Sequence, residues 1–211
     1  MSVDMKRWIA KPGRSQYRHR FGGDSWHAID PDAIAGGPTL LLSLDSRDPR
    51  LESLANRGLD SIPLCSYVNC DVWINPQVFK INTETRSIQL ARKENFYTTI
   101  LPQELAFDNP LPEKSIELFE SSGFNNFDSL ADGFLGGEAF IQVLGTPPWL
   151  QGPEPLTCMC GRDPDFVAAI GNDYGHPTNL IDQRAFFIGE TALYFFVCFG
   201  CFHLTVLSQP T

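Results

Sequence analysis

Apolar and polar positions along this chain alternate in short runs, with no long helical stripes. The first clear run is GGPTLLLSLD, Gly36 to Asp45, an apolar segment between turn signals that predicts a buried strand. Asp48-Pro49 then supplies an N-cap and a proline at the first helical position, and Gly58 closes the helix predicted over LESLANR. From Ile62 to Ile100, strands are predicted at PLCSYV, DVWI, QVFKI, SIQLA and FYTTI. Asn-Pro, Asn-Thr-Glu-Thr and Lys-Glu-Asn breaks separate them at meander spacing. In QVFKI the apolar Val78 and Ile81 do not alternate, so its register stays open.

Residues 102–135 are rich in Pro, Asn, Asp and Ser around one short element, SIELFE, and read as a connector. AFIQV, DFVAAI and AFFIG follow, then a terminal pair, ALYFFVC and FHLTVL, with its turn at Phe199-Gly200. Strand-like segments outnumber helical ones, so the expected fold class is α+β with mostly antiparallel sheet. The expected organisation is a basic segment 1–20, an N-terminal β-rich half 21–101, the connector 102–135 and a C-terminal β-rich half 136–211 that holds the cysteine pairs. An internal echo, Phe21-Gly22-Gly23-Asp24-Ser25-Trp26 against Phe134 to Phe140, would fit two similar halves packed together.

The length of 211 residues suits one large domain or two small, closely packed halves. An apolar fraction of 43%, with sixteen Phe and four Trp, is enough to build a sizeable core. The N-terminus has no apolar h-region, and the longest apolar run, ALYFFVCFGCF, is interrupted by glycine and falls short of the roughly 20 residues of a membrane span. The expected location is therefore cytoplasmic, with no membrane partner, where thiols stay reduced and cysteine pairs more often bind metal than form disulfides.

Charge is unevenly distributed. Residues 1–20 carry six bases (Lys6, Arg7, Lys11, Arg14, Arg18, Arg20) and one acid, Asp4, a net +5. That leaves ten bases against 24 acids, net −14, in residues 21–211. A body that acidic repels nucleic acid and steers a basic protein toward itself. The basic segment either folds onto the body or stays mobile.

The six cysteines fall into three pairs, Cys65/Cys70, Cys158/Cys160 and Cys198/Cys201. Cys198-Phe199-Gly200-Cys201 sits at the tip of the predicted terminal hairpin, where a turn can aim both thiolates at one ion. Cys158-Met159-Cys160-Gly161 has glycine directly after its second cysteine. Together, Cys158, Cys160, Cys198 and Cys201 supply four sulfurs for a tetrahedral structural zinc, with His203 as a reserve ligand. Buried free thiols and a disulfide are the competing readings. Cys65 and Cys70 flank a strand and read as core.

Four sulfur ligands leave no open coordination position, which argues against an enzyme. The chain also contains no GxSxG, GxxxxGK[ST], HExxH or GxGxxG. Ser25, His27 and Asp30 fall within six positions, whereas catalytic triads assemble from distant segments, so these three read as a polar loop. Asp30-Pro31-Asp32 and Asp163-Pro164-Asp165 lack the further ligands of a calcium loop and read as turns. His19 and His176 lie in polar, turn-rich text without a motif.

The stretch Leu144-Gly145-Thr146-Pro147-Pro148-Trp149-Leu150-Gln151, the Cys158-Cys160-Gly161 pair, Asp165-Phe166-Val167 and Leu193-Tyr194-Phe195-Phe196-Val197-Cys198 together resemble the bacterial YwqG-like family of unknown function. They are more distantly similar to the amino-terminal region of the programmed-cell-death-protein-2 group, over about residues 134–209. That pattern runs as GGxPxW(I/L)Q, CxxCG, an FLxQ strand and a YxFxC strand. Here the first pair is CxC, one residue short, which bears on Cys158 more than on Cys160. Phe166-Val167-Ala168-Ala169 lacks the glutamine, and Gly145-Thr146 stands for the double glycine. The resemblance implies an α+β fold with two similar sheet-containing halves, no established catalytic activity, and protein-binding roles with basic clients. The leading functional expectation is accordingly a non-enzymatic, immunity-type inhibitor that binds a basic toxin or effector. The alternatives are a zinc-containing chaperone or adaptor for a basic client such as a ribosomal protein, and a small-molecule binder or unrecognised hydrolase.

Overall fold

The computed structural model describes residues 6–30, 37–70, 76–92, 101–121, 139–173, 180–181 and 184–210. Twelve strands are found there: β1 (Trp8–Pro12), β2 (Arg20–Phe21), β3 (His27–Ile29), β4 (Thr39–Asp45), β5 (Ser61–Ser66), β6 (Gln77–Asn82), β7 (Ser87–Arg92), β8 (Lys114–Glu120), β9 (Ile141–Val143), β10 (Asp165–Ile170), β11 (Thr191–Cys198) and β12 (His203–Pro210). They form one hydrogen-bonded series in the order β3-β7-β6-β12-β11-β10-β9-β1-β8-β2-β4-β5. Every neighbouring pair is antiparallel except β3 with β7. The series is nearly closed, because β3 at one end also lies against β4, the neighbour of β5 at the other.

Hydrophobic patterning explains where each strand sits. In β4 every residue is buried, as is every residue of β11 after Thr191, so the leucine-rich text of the first and the unbroken apolar text of the second match strands covered on two faces. The irregular pattern of β6 has a local cause: a bulge between Val78 and Phe79 shifts its register against β7. The main core contains Phe21, Phe79, Phe140, Phe186 and Phe195, all fully buried. Phe186 is its hub, meeting Phe21 edge-on at 5.5 Å and stacking on Phe107 at 5.3 Å. Cys65 and Cys70 pack into the same cluster.

A second, smaller cluster of Ala169, Ala192, Tyr194, Phe196 and Leu207 is roofed by Trp149, Leu150 and Leu156. Those three belong to a strap, residues 147–157, pinned by two buried side chains. The Tyr194 hydroxyl donates to the Pro148 carbonyl at 2.8 Å and accepts from the Leu150 N–H at 3.0 Å. The Gln209 side-chain oxygen accepts from the N–H groups of Leu150 and Gln151, each at 3.1 Å, and its amide donates to the Gly152 carbonyl and to Glu154.

The structure corrects the expected fold class on its helical side. Of the described residues 42% are strand and 4% helix, so the fold is mostly β. The only helical element among them is a 3-10 turn, Pro49–Leu54. Asp48 caps it as expected, accepting from the Arg50 N–H. The helix expected to reach Gly58 stops early because Ala55 is extended and Asn56 is left-handed, with φ 57°. SIELFE is β8, so part of the stretch read as a connector is sheet. AFFIG forms no strand; Phe186 points into the core while its neighbours leave the ladder. Strands drawn from 21–101 and from 136–211 share one sheet through the β6–β12 pair, and β1 from the basic segment lies between β8 and β9. DVWI, FYTTI and the second copy of the glycine echo lie wholly or mostly outside the described residues. No helix of the described residues is long and apolar enough to cross a membrane.

Candidate metal centre

The β11–β12 hairpin brings Cys198 and Cys201 to its tip. Cys198 ends β11 opposite His203, and the Cys201 N–H donates to the Cys198 carbonyl at 3.3 Å across the turn. The strap delivers the other pair just before β10. There the Gly161 N–H donates to the Cys158 carbonyl and the Cys158 N–H donates to the Arg162 carbonyl, both at 2.8 Å. Gly161 has φ +80°, a backbone state that suits glycine and lets the chain double back after Cys160.

The two turns face each other. All four sulfurs lie within 4.8 Å of one another. The close contacts run between turns, with Cys158 Sγ 3.3 Å from Cys201 Sγ and Cys160 Sγ 3.5 Å from Cys198 Sγ. A tetrahedral ion with metal–sulfur bonds of about 2.3 Å needs sulfur–sulfur edges of about 3.8 Å, which these separations bracket. A disulfide needs about 2.05 Å, and all four thiols are free. The CxC spacing therefore still allows Cys158 to converge with the other three. His203 Nδ1 lies 3.1 Å from Cys201 Sγ, close enough to bond a ligand's sulfur.

Electrostatics at the cluster are uneven. Cys160, exposed at the surface, is held down to about 7, chiefly by the Arg162 backbone N–H and then by the Cys201 thiol. Burial pushes Cys198 and Cys201 up, and the Cys158 and Cys160 thiols add to it at both. Cys160 thus ionises before Cys198 and Cys201, and a divalent cation would reverse the penalty on those two by replacing their protons.

The surrounding scaffold was not apparent in the sequence. Arg57 pairs with Asp165 at 2.8 Å and lies 4.5 Å over the Phe199 ring, joining the hairpin tip to β10. The Phe202 ring lies against Gly58, where an added Cβ would come within 2.8 Å of it. Lys80 donates to the Cys201 carbonyl at 2.5 Å. Arg162 lies across Gly200 so closely that a Cβ there would meet its guanidinium at 2.0 Å. Arg57, Gly58, Lys80, Arg162 and Asp165 lie outside both cysteine motifs, and the first three come from strands and turns more than 75 residues upstream in the chain.

The other residues singled out by sequence stand elsewhere. His27 lies exposed in β3, Ser25 contributes its carbonyl to Arg86, and Asp30 accepts from the Tyr67 hydroxyl. His19, without a motif, is fully buried. Its Nδ1 accepts from the Asp45 N–H at 3.1 Å, so its Nε2 carries the proton donated to Asp48 at 2.7 Å. With both ring nitrogens occupied, it is a structural histidine. The basic segment folds onto the body in part: Lys6 pairs with Glu120, Arg20 pairs with Glu113, and the Arg18 N–H donates to Asp45.

No family model matches the chain, and comparison with curated proteins and with solved structures likewise gives no match.

Proposed function

We propose that Cys158, Cys160, Cys198 and Cys201 hold a structural zinc ion, and that the protein is a non-enzymatic module binding a basic protein partner. The observation that carries this reading is the meeting of four thiol sulfurs from two separate turns within 4.8 Å. Four soft sulfur donors in tetrahedral spacing select zinc over the hard oxygen-seeking cations, and a full set leaves no site for an activated water. The zinc ties the strap to the terminal hairpin and performs no chemistry.

The partner's charge follows from the −14 of residues 21–211. Glu52, Asp60, Glu84, Glu104 and Asp108 are exposed, so the field reaches solvent and accelerates encounter with a basic surface. An immunity-type inhibitor of a basic toxin or effector leads, and a chaperone or adaptor for a basic client is second. Affinity capture from the native cells at low and high salt separates them. A single toxin-like protein retained at high salt supports the inhibitor. A ribosomal protein released by salt supports the chaperone. Retention of no basic protein under either condition overturns both.

A further inference from the structure

We propose that the cavity between residues 14–17, the start of the 3-10 turn and β8 binds a small organic anion, a carboxylate or phosphate with a hydroxyl beside it. The cavity has a volume of about 510 Å³ and is lined by Arg14, Ser15, Gln16, Tyr17, Asp48, Pro49, Arg50 and Glu117. That size falls within the roughly 300–1,000 Å³ of small-molecule sites. It is remote in sequence from the four cysteines and independent of the zinc reading.

The wall of the cavity is pre-built. Asp48, whose side chain is 1% exposed, accepts from His19 at 2.7 Å, from the Arg50 N–H and Nε at 2.9 Å, and from Arg50 Nη2 at 2.7 Å. Its charge is spent on those contacts, so it neither repels an anion strongly nor remains free to hold a cation. Arg50 is fixed in turn. Its Nη1 donates to the Leu118 carbonyl at 2.5 Å, and its guanidinium lies 5.8 Å from the Tyr17 ring and 6.0 Å from the Trp8 ring. Of its five N–H groups, Asp48 and Leu118 take three, which leaves two for a ligand. A guanidinium locked in place by a buried carboxylate and two rings needs no reordering to bind.

Donors predominate around that fixed group. Arg14 is exposed and has no ion-pair partner among the described residues, unlike Lys6, Arg20, Arg47 and Arg57, which face Glu120, Glu113, Asp45 and Asp165. The Ser15 hydroxyl accepts from the Tyr17 N–H, which leaves its proton to donate outward. Against these stands one uncommitted carboxylate, Glu117, which also faces Arg50. With Asp48 and Arg50 neutralising each other, Arg14 is the cation that favours an anion, and the two remaining Arg50 N–H groups are donors beside it. The Glu117 carboxylate favours an anion that carries a hydroxyl donor over a bare one.

Full-length protein as purified, titrated by calorimetry with glycerol phosphate, tartrate and sulfate, the last without a hydroxyl at neutral pH, tests the site. One of the two hydroxyl-bearing probes should bind saturably, and which one does so identifies phosphate or carboxylate as the anionic group. Arg14→Ala should weaken that binding about tenfold or more, the equivalent of one charge-assisted contact. Its melting temperature should match wild type, since Arg14 holds nothing in place. Glu117→Gln should erase the preference over sulfate. No saturable binding of either hydroxyl-bearing probe, binding unchanged by Arg14→Ala, or wild type preferring sulfate would each overturn the assignment.

Discussion

Tyr194 reaches from the centre of β11 to the Pro148 carbonyl, 2.8 Å away, and ties the strap to the sheet 46 residues apart in sequence. That hydroxyl and the Gln209 amide are the two polar pins that hold the segment delivering Cys158 and Cys160. Tyr194→Phe leaves the Pro148 carbonyl and the Leu150 N–H without this partner and should cost about 1–2 kcal/mol in urea unfolding. Gln209→Ala removes an acceptor from the Gln151 N–H and a donor from the Gly152 carbonyl, leaves the Leu150 N–H to Tyr194 alone, and should cost about 1–3 kcal/mol. Both variants should release metal to a chelating dye faster than wild type. An unchanged release rate would separate the strap from the centre.

Removing a ligand should cost more than loosening the strap. Cys198→Ser, at a buried position, should yield protein without stoichiometric zinc, with stability lower by several kcal/mol or with loss of soluble folding. Cys160→Ser changes an exposed position and removes no core packing, so its loss of stability should track its loss of metal. Elemental analysis beside thermal melting checks this. Purified wild type without metal, together with unchanged melting of both variants, would refute the zinc centre.

Metal removal also carries a geometric signature. With zinc chelated and a peroxide present, each close thiol pair should lose two electrons and two protons to form a disulfide. Pairing should follow proximity, Cys158 with Cys201 and Cys160 with Cys198. Peptide mapping that returned Cys158–Cys160 and Cys198–Cys201 instead would show that the two turns part once the metal leaves.

The buried His19 predicts a pH dependence. Burial lowers its pKa below the usual 6.5, outweighing the bond and charge of Asp48 that act to raise it. The folded state therefore holds fewer protons on this ring than the unfolded chain. Its contribution is complete above pH 6.5 and is lost as pH falls below that value, with a limiting slope of about 1.4 kcal/mol per pH unit. Asp48 itself is pushed up by burial, but the hydrogen bonds from Arg50 and His19 together hold it below the usual range. It remains ionised across the same window. Urea midpoints from pH 7.5 to 5 should fall for wild type, and His19→Gln should flatten that fall whatever it does to the absolute stability.

What could be read in advance followed local chemistry. LLLSL announced a buried strand, ALYFFVC and FHLTVL a terminal hairpin, Asp48-Pro49 a cap, and the cysteine pairs beside glycine a four-sulfur site. Long-range geometry was hidden. Asp48 was visible as a cap, but its partner His19 lies 29 residues away. Arg57 and Lys80 buttress a turn that no local pattern connects to them. The helix failed at Ala55 and Asn56 because helical propensity cannot report a chain forced into extended and left-handed states by its neighbours. β1 was hidden by its charge, since Trp8-Ile9-Ala10 is flanked by Lys6, Arg7 and Lys11, and only the fold shows Ile9 and Ala10 buried.

The position of β1 sets a timetable for the newborn chain. Trp8 pairs with Val143 on one side and Glu120 on the other. Ribosomes add about 5–20 residues per second, so this strand waits roughly 7–27 s after its own synthesis before its last neighbour exists. Both rows of backbone donors and acceptors beside an indole and an isoleucine stand unprotected until β8 is made, and the row that meets β9 stays open until residue 143. Nothing in the first hundred residues occupies those rows. Cellular yield should therefore respond to holdase chaperones and to translation speed between codons 8 and 143 more sharply than equilibrium stability alone would suggest.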